Sequence, residues 1–266
     1  MRNSCLALSG ALLLGTALYA QQPPPAPAPA APLNPNDRLD ALLMQWEAKM
    51  KSVQTLKAMV NRTRVDKVFN TQDTYVGEVK YMKPNLALLD LRRRDRQDIF
   101  EKYICTGTYL YEYNQSNREI RYQELPPPKP GQVTDDNLFS FVLGMKAEEA
   151  KRRYNLRLVA DGKDPNYHYV EILPRFPADR ADFEKAQLVL TQSTMMPRRL
   201  SFFEPNGNQI TWDIPVIEIN IQLDRREFTS PTLPSKDWKL VKAPKAAPAP
   251  APSNNDLPPR VVRPKP

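Results

Sequence analysis

Between Tyr75 and Asp90 the chain reads YVGEVKYMKPNLALLD. In an extended chain Tyr75, Gly77, Val79 and Tyr81 share one face, and Val76, Glu78, Lys80 and Met82 share the other. Alternation with period two predicts a strand with one buried and one wet face. Lys83-Pro84-Asn85 breaks the pattern with turn residues: proline presets φ, and asparagine tolerates the tight position beside it. A more continuous apolar run follows in Leu86, Leu88, Leu89 and Leu91. The prediction is a β-hairpin. Further strands are predicted over 59–69, 98–105, 108–113 and 118–125, and again over 155–160, 167–173, 183–191, 197–204, 209–214 and 217–223. Turn signals separate them at intervals of about ten residues, and Asn206-Gly207 is the strongest of these. Such a series predicts an antiparallel sheet that curls into a barrel or sandwich.

Helical periodicity interrupts this pattern. Leu39, Leu42, Leu43, Trp46, Met50 and Val53 recur on one face after Asn36 or Asp37 as N-cap. They predict an amphipathic helix of about 20 residues that needs a large apolar surface to lie on. After the Pro126–Gly131 break, a short helix is predicted around Leu138, Phe139, Phe141, Val142 and Leu143. Another is predicted over 146–154, where Glu148 and Glu149 precede Lys151, Arg152 and Arg153, an order that suits the helix dipole. Pro174 and Pro177 frame a predicted loop carrying Asp179, Arg180 and Asp182. Strands and helices together define an α+β fold.

Proline changes the picture at both ends. The 266 residues include 28 prolines but only 8 glycines, and the prolines concentrate in the terminal segments. Residues 1–20 read as a cleaved export signal, with Arg2 as the positive start, Leu6 to Leu18 as the apolar run and Ala20 before the cut. An uncleaved N-terminal anchor is the alternative. Residues 21–36 read as a Pro/Ala-rich linker, 37–240 as one folded domain and 241–266 as a Pro-rich disordered tail. The domain, at about 200 residues, is long enough for one substantial core. An exported, periplasmic location follows.

The net charge of +8 leaves anionic partners open. Arg92 to Arg96, Lys151 to Arg153 and Arg198-Arg199 supply the cations, and Tyr109, Tyr111 and Tyr113 could stack on bases. The export signal argues against nucleic acid, and none is expected. Candidate chemistry is sparse. His168 is the single histidine, and Cys105 the one cysteine beyond the leader. No cofactor or metal site is therefore expected. No G-x-S-x-G elbow, Gly-rich phosphate loop or H-E-x-x-H motif occurs. Asp179, Asp182 and Glu184 form the densest carboxylate cluster, and the expectation is a protein that is not an enzyme.

Four segments carry a family resemblance. They are Trp46 to Ala58 (W-x-x-K-M-x-x-V-x-x-L-x-A), Gly77 to Asn85, Thr106 to Tyr113 (TGTYLYEY), and Asn206-Gly207-Asn208 followed by Asn220, Phe228 and Pro231. In order and spacing they resemble the LolA-like family of periplasmic outer-membrane lipoprotein carriers. The chain is more similar still to an uncharacterised, exported LolA-like family of planctomycetes. The resemblance implies an unclosed antiparallel half-barrel covered by a long N-terminal helix and short lid helices. Its apolar groove would hold an acyl chain, with Leu138 to Leu143 as a lid-like segment. Groove residues expected on this basis are Leu86, Leu88, Tyr109, Tyr111, Leu138, Phe139, Phe141 and Trp212. The expected partner is a lipid or an acylated protein, bound by a monomer acting as carrier or sensor. Two alternatives stand beside it. One is an envelope scaffold or signalling module that engages a protein or anionic polymer through its basic turns and Pro-rich tails. The other is an enzyme acting on envelope polymers.

Overall fold

The computed structural model describes residues 33–34, 36–125, 146–159 and 164–243. The expected leader, most of the linker, the helix predicted around Leu138, Phe139 and Phe141, and the tail beyond 243 lie outside the described residues.

Helix α1 spans Arg38–Ser52, and its N-cap is Asp37, whose carboxylate accepts from the backbone N–H groups of Leu39 and Asp40 at 3.0 Å each. This satisfies two of the donors that a helix start leaves open. At 15 residues α1 is shorter than predicted, because Val53 leaves the helical backbone. Val53 is still only 1% exposed. The apolar pattern therefore outlasts the helix and runs on into the first strand.

The strands are β1 (Thr55–Asp66), β2 (Thr71–Met82), β3 (Leu86–Arg93), β4 (Phe100–Thr106), β5 (Tyr109–Asn114) and β6 (Glu119–Glu124), then β7 (Tyr154–Val159), β8 (Tyr167–Pro174), β9 (Lys185–Thr191), β10 (Pro197–Phe203), β11 (Gln209–Ile219) and β12 (Lys239–Lys242). Helix α2 (Ala147–Arg153) precedes β7, α3 (Pro177–Asp182) precedes β9, and a 3-10 turn covers Arg225–Phe228. One twelve-stranded sheet results, in the order β12-β6-β5-β4-β3-β2-β1-β11-β10-β9-β8-β7. Neighbours are antiparallel except β12, which runs parallel to β6. The sheet curls without closing, its open edges being β7 and β12.

Two local expectations are corrected. The stretch between Pro174 and Phe183, read as a loop, contains α3, with Pro177 in its first turn, where the missing N–H costs nothing. The two strands expected at 209–214 and 217–223 are the single strand β11. Met59 pairs with Val216 and Asn61 with Asp213, so Ile214 and Pro215 together face the one residue Val60. That bulge accommodates a proline with no N–H to give.

The sheet carries two cores on opposite faces. Across one face run Ile217, Ala58, Val79, Leu89, Tyr103, Glu112 and Arg121 in register. This row is apolar from β11 to β4 and polar from β5 onward. It belongs to the larger core, into which α1 inserts Leu42, Leu43, Trp46 and Met50. Across the other face run Lys80, Leu88, Ile104, Tyr111 and Tyr122. Here the polarity is reversed, and the apolar side lies over β3 to β6. Strand β3 is where the two meet: Leu89 and Leu91 join the helix-side core, and Leu86 and Leu88 the opposite one.

The turns at one end of the sheet are tied together. Asn85, after the cis Lys83–Pro84 bond, donates from Nδ2 to the Gly107 carbonyl at 2.8 Å, and the Cys105 thiol donates to the Asn85 carbonyl at 2.9 Å. Burial raises the Cys105 pKa, which leaves the thiol protonated and inert. Gly77 sits where β2 passes closest to β3. A Cβ there would stand 2.0 Å from the Asp90 carbonyl oxygen, a backbone atom that cannot swing aside. Gly77→Ala is expected to force β2 and β3 apart, lowering unfolding free energy by about 1–3 kcal/mol, as overpacking does. Urea titration of both proteins checks this.

Candidate functional site

Among the described residues, the helix side of the sheet has a part covered by α1 and a half-exposed part. Helix α1 lies on it and touches α2 and β7. Beyond α1, half-buried aromatic groups continue the apolar surface: Tyr75 on β2, Tyr103 on β4, Phe202 on β10 and Trp212 on β11. Arg62 stands among them. Leu56, Ala58, Val60 and Arg62 occupy alternate positions of β1, so the strand that buries three apolar side chains places a cation in the same row.

Arg62 is held on three sides. Its guanidinium lies 4.7 Å from the Tyr75 ring centroid and 5.4 Å from that of Trp212. It reaches over to β4 and donates two hydrogen bonds to Glu101, at 2.6 and 2.5 Å. The fork geometry matches the carboxylate, and the flanking rings add cation–π attraction. Tyr103 follows Glu101 on the same face, its hydroxyl 3.4 Å from Glu112. Burial, then the charges of Glu112 and Glu101, push its pKa up to about 12. Burial also raises the pKa of Tyr75, with Glu101 adding to it. The helix side is therefore an apolar surface with a fixed charged pole. That arrangement suits an amphiphile, a molecule with an apolar chain and a polar end.

The cover is pinned by polar contacts between helices. Glu47 of α1 accepts from the backbone N–H of Ala147 at 2.9 Å, capping α2 in place of a local side chain. Lys151 of α2 donates to the buried Asp40 of α1 at 2.7 Å, and Asp40 also accepts from Asn34 N–H at 2.8 Å. Burial alone would raise the Asp40 pKa, but Lys151 and the Asn34 N–H hold it below the ordinary value.

The expected groove residues separate. Leu86, Leu88, Tyr109 and Tyr111 come together on the opposite face, with Ile120 and Tyr122. There the chain from Leu223 to Lys242 crosses them as a strap. Phe228 is 2% exposed over this cluster, and the Tyr111 hydroxyl meets the Ser230 hydroxyl at 2.9 Å. Trp238 stacks on Phe100 with centroids 6.3 Å apart. Trp212 lies on the helix side, against Arg62. Leu138, Phe139 and Phe141 lie outside the described residues. Arg62, Glu101 and Tyr75 were not anticipated as site residues. The signal was present in β1, where a charged residue falls on the apolar register of a strand.

Of the remaining candidates, Asp179 has a structural partner, while Asp182 and Glu184 are exposed. Asp179 is buried and forked by Arg153, with contacts of 2.8 to 3.2 Å that tie α3 to the end of α2. His168 on β8 has its pKa lowered by burial and by the charge of Arg38. Among the described residues, no group of three or more His, Cys, Asp or Glu is arranged to hold a metal, and no helix is long and apolar enough to cross a membrane.

The unclosed, curled antiparallel sheet with an N-terminal helix laid on one face agrees with the half-barrel that the resemblance implies. No protein-family model matches the chain, and no curated protein matches it at a significant level. Several solved structures are similar to the chain at low identity. An uncharacterised conserved protein from Thermus thermophilus is 11% identical, covering 76% of this chain and 97% of its own, with a TM-score of 0.47. A LolA-superfamily protein from Nitrosomonas europaea is 12% identical over 71% of this chain and 96% of its own, with a TM-score of 0.34. The lipoprotein LppX from Mycobacterium tuberculosis is 14% identical over 69% and 98%, with a TM-score of 0.39.

The depressed Asp40 pKa sets a pH dependence. The α1–α2 link is fully present above the unfolded carboxyl value of 3.8 and is lost as pH falls below it. Asp40→Asn removes the charge at neutral pH. It is expected to speed hydrogen exchange of the 147–153 amides by about tenfold or more, the scale of a lost charged hydrogen bond. Exchange mass spectrometry at neutral pH measures it.

Proposed function

We propose that this is an exported binding protein that holds a lipid, or the acyl chain of a lipid-modified protein, on the helix side of its half-barrel. The observation that carries the reading is the partly covered apolar surface around Arg62. It is aromatic, half-exposed and charged at one point, whereas the opposite face is closed by the protein's own strap. In this reading Tyr75, Tyr103 and Trp212 line the acyl chain. The Arg62–Glu101 pair meets the polar end, and α1 with α2 forms the cover. Leu86, Leu88, Tyr109 and Tyr111 hold the strap rather than a ligand. Leu138, Phe139 and Phe141 precede α2 in the chain and would extend the cover as a lid. The protein works as a monomer in the periplasm, as carrier or sensor, and needs no catalytic step.

The basic turns give less support to an anionic-polymer scaffold. Arg93 is paired with Asp73 and Asp95, and Arg96 with Asp98, at 2.7 to 2.8 Å. Much of the charge read from the sequence is therefore neutralised locally.

Native mass spectrometry of the protein purified from a bacterial envelope tests the proposal, together with uptake of a fluorescent fatty acid. Copurified lipid at one per chain and saturable uptake are expected. Trp212→Ala and Arg62→Ala should each weaken uptake by about tenfold, or 1.4 kcal/mol. Tyr109→Leu, on the strap side, should change it less than about twofold. A consistently empty protein that takes up no fatty acid would overturn the reading, and so would equal loss from the variants on both faces.

A further inference from the structure

The hairpin of β1 and β2 extends beyond β3, while the β10–β11 turn keeps pace with it on the other side. The two strands pair without interruption from Thr55–Met82 to Asp66–Thr71, whereas β3 leaves β2 at Tyr75 and β11 leaves β1 at Val65. At the tip, Val68 is 69% exposed and Phe69 76%, the highest values among the described large apolar side chains. Two adjacent exposed apolar side chains on a well-bonded tip form a small apolar patch of the kind that marks an interaction site.

The tip is built rather than loose. Asp66 accepts from the backbone N–H groups of Val68 and Phe69 at 2.9 and 3.0 Å. The Lys67 N–H donates to Asn208 Oδ1 at 2.8 Å, and Asn208, in the β10–β11 turn, is only 3% exposed. Asn70 takes the left-handed conformation, φ 50°, that completes the turn. These bonds satisfy the N–H groups of Lys67, Val68 and Phe69 internally, and so lower the cost of moving the tip out of water into an apolar phase. Cations flank the wedge and stand behind it. Arg64 and Lys67 flank it, and Arg94 and Arg92 lie further back along the hairpin, level with Thr74 and Val76 at the same end of the sheet, Arg92 resting over the Phe100 ring. All four are exposed, and none has a carboxylate partner among the described ion pairs. The acids at this end are largely engaged: Asp66 by the tip, Asp73 and Asp95 by Arg93, and Asp98 by Arg96, with Glu204 as the exception.

We propose that the Val68–Phe69 tip inserts into the interface of an anionic bilayer, with Arg64 and Lys67 contacting lipid phosphates and Arg94 adding to the attraction from behind. The shape favours lipid over a protein partner. A protein interface needs a broad complementary patch, but the neighbours of the wedge are Lys67, Asn70, Thr71 and Gln72, all polar and exposed. A fluid bilayer conforms to a narrow apolar wedge, and its surface charge attracts the cations around it. This inference does not depend on whether the helix side carries a lipid.

Vesicle flotation with the full chain tests it, using phosphatidylcholine alone and phosphatidylcholine mixed with phosphatidylglycerol. Binding to the anionic vesicles is expected to exceed binding to neutral ones and to weaken with salt. Val68→Ser/Phe69→Ser should reduce it about tenfold, and Lys67→Glu/Arg94→Glu by roughly tenfold or more. Unchanged circular dichroism and Tm would show that these exposed positions leave the fold intact. As a variant that retains the apolar wedge, Phe69→Trp should show tryptophan quenching by brominated lipid beyond that of the parent chain. No preference for anionic vesicles, equal binding by the serine variant, or no added quenching would overturn the proposal. A stoichiometric, Phe69-dependent complex with a protein, without vesicle binding, would overturn it in favour of a protein surface.

Discussion

Strand β3 has to be apolar on both of its faces, and the architecture follows from that requirement. Most strands of an antiparallel sheet bury one side and wet the other. Here Leu89 and Leu91 point into the core under α1, and Leu86 and Leu88 into the core under the strap. Each core needs a cover of its own. The chain supplies α1 before the first strand and the Leu223–Lys242 segment after β11. Leu91 is fully buried and Leu88 is 7% exposed. Truncating either would leave a cavity in a different core, at a cost of about 2–5 kcal/mol each.

The reversal of polarity between β3 and β5 limits what a sequence can reveal. Period-two alternation in β2 and β3 identified two faces and the hairpin that joins them, and Lys83-Pro84-Asn85 marked the turn where it lies. Helix α1 was legible from its cap and its apolar stripe. Alternation does not say which face belongs to which core, because that depends on pairing with strands far along the chain. Leu88 and Trp212 were grouped as one wall, but β1 joins β2 to β11, and the register carries the two residues to opposite sides. The run LALLD was itself the available sign: leucines at consecutive positions 88 and 89 cannot share a face of a strand. Helix α3 was hidden by its flanking prolines, which read as a loop, although proline also suits a first helical turn.

Arg62 was missed for a related reason. Beyond Val60 the strand reads as polar, so its residues looked solvated. In the folded chain Arg62 is drawn over two neighbouring strands to Glu101, and its side chain is only 18% exposed. A cation removed from water in this way needs its fork of hydrogen bonds, and removing one partner costs more than the pair contributes. Isolated charges inside apolar surfaces are uncommon without such support. Its placement between Tyr75 and Trp212 therefore singles out this end of the helix side from the uniformly apolar part beneath α1.

The two covers are attached in different ways, and this separates their roles. The strap is held by strand pairing between β12 and β6, by the nearly buried Phe228, and by Lys80, which is paired with Glu78 and Glu227. Burial would lower the Lys80 pKa, but Glu227 and Glu78 raise it instead, so the ammonium stays charged and the contact persists. Lifting the strap means breaking a strand pair and the Lys80–Glu227 ion pair together. Helix α2 meets α1 through the Glu47–Ala147 and Asp40–Lys151 contacts, with Ala147 and Ala150 as its buried residues. Small side chains and a few polar contacts bury little apolar area, so parting α2 from α1 exposes little that water penalises. If a cover moves during binding, α2 can part from α1 without dismantling the sheet or the core beneath α1.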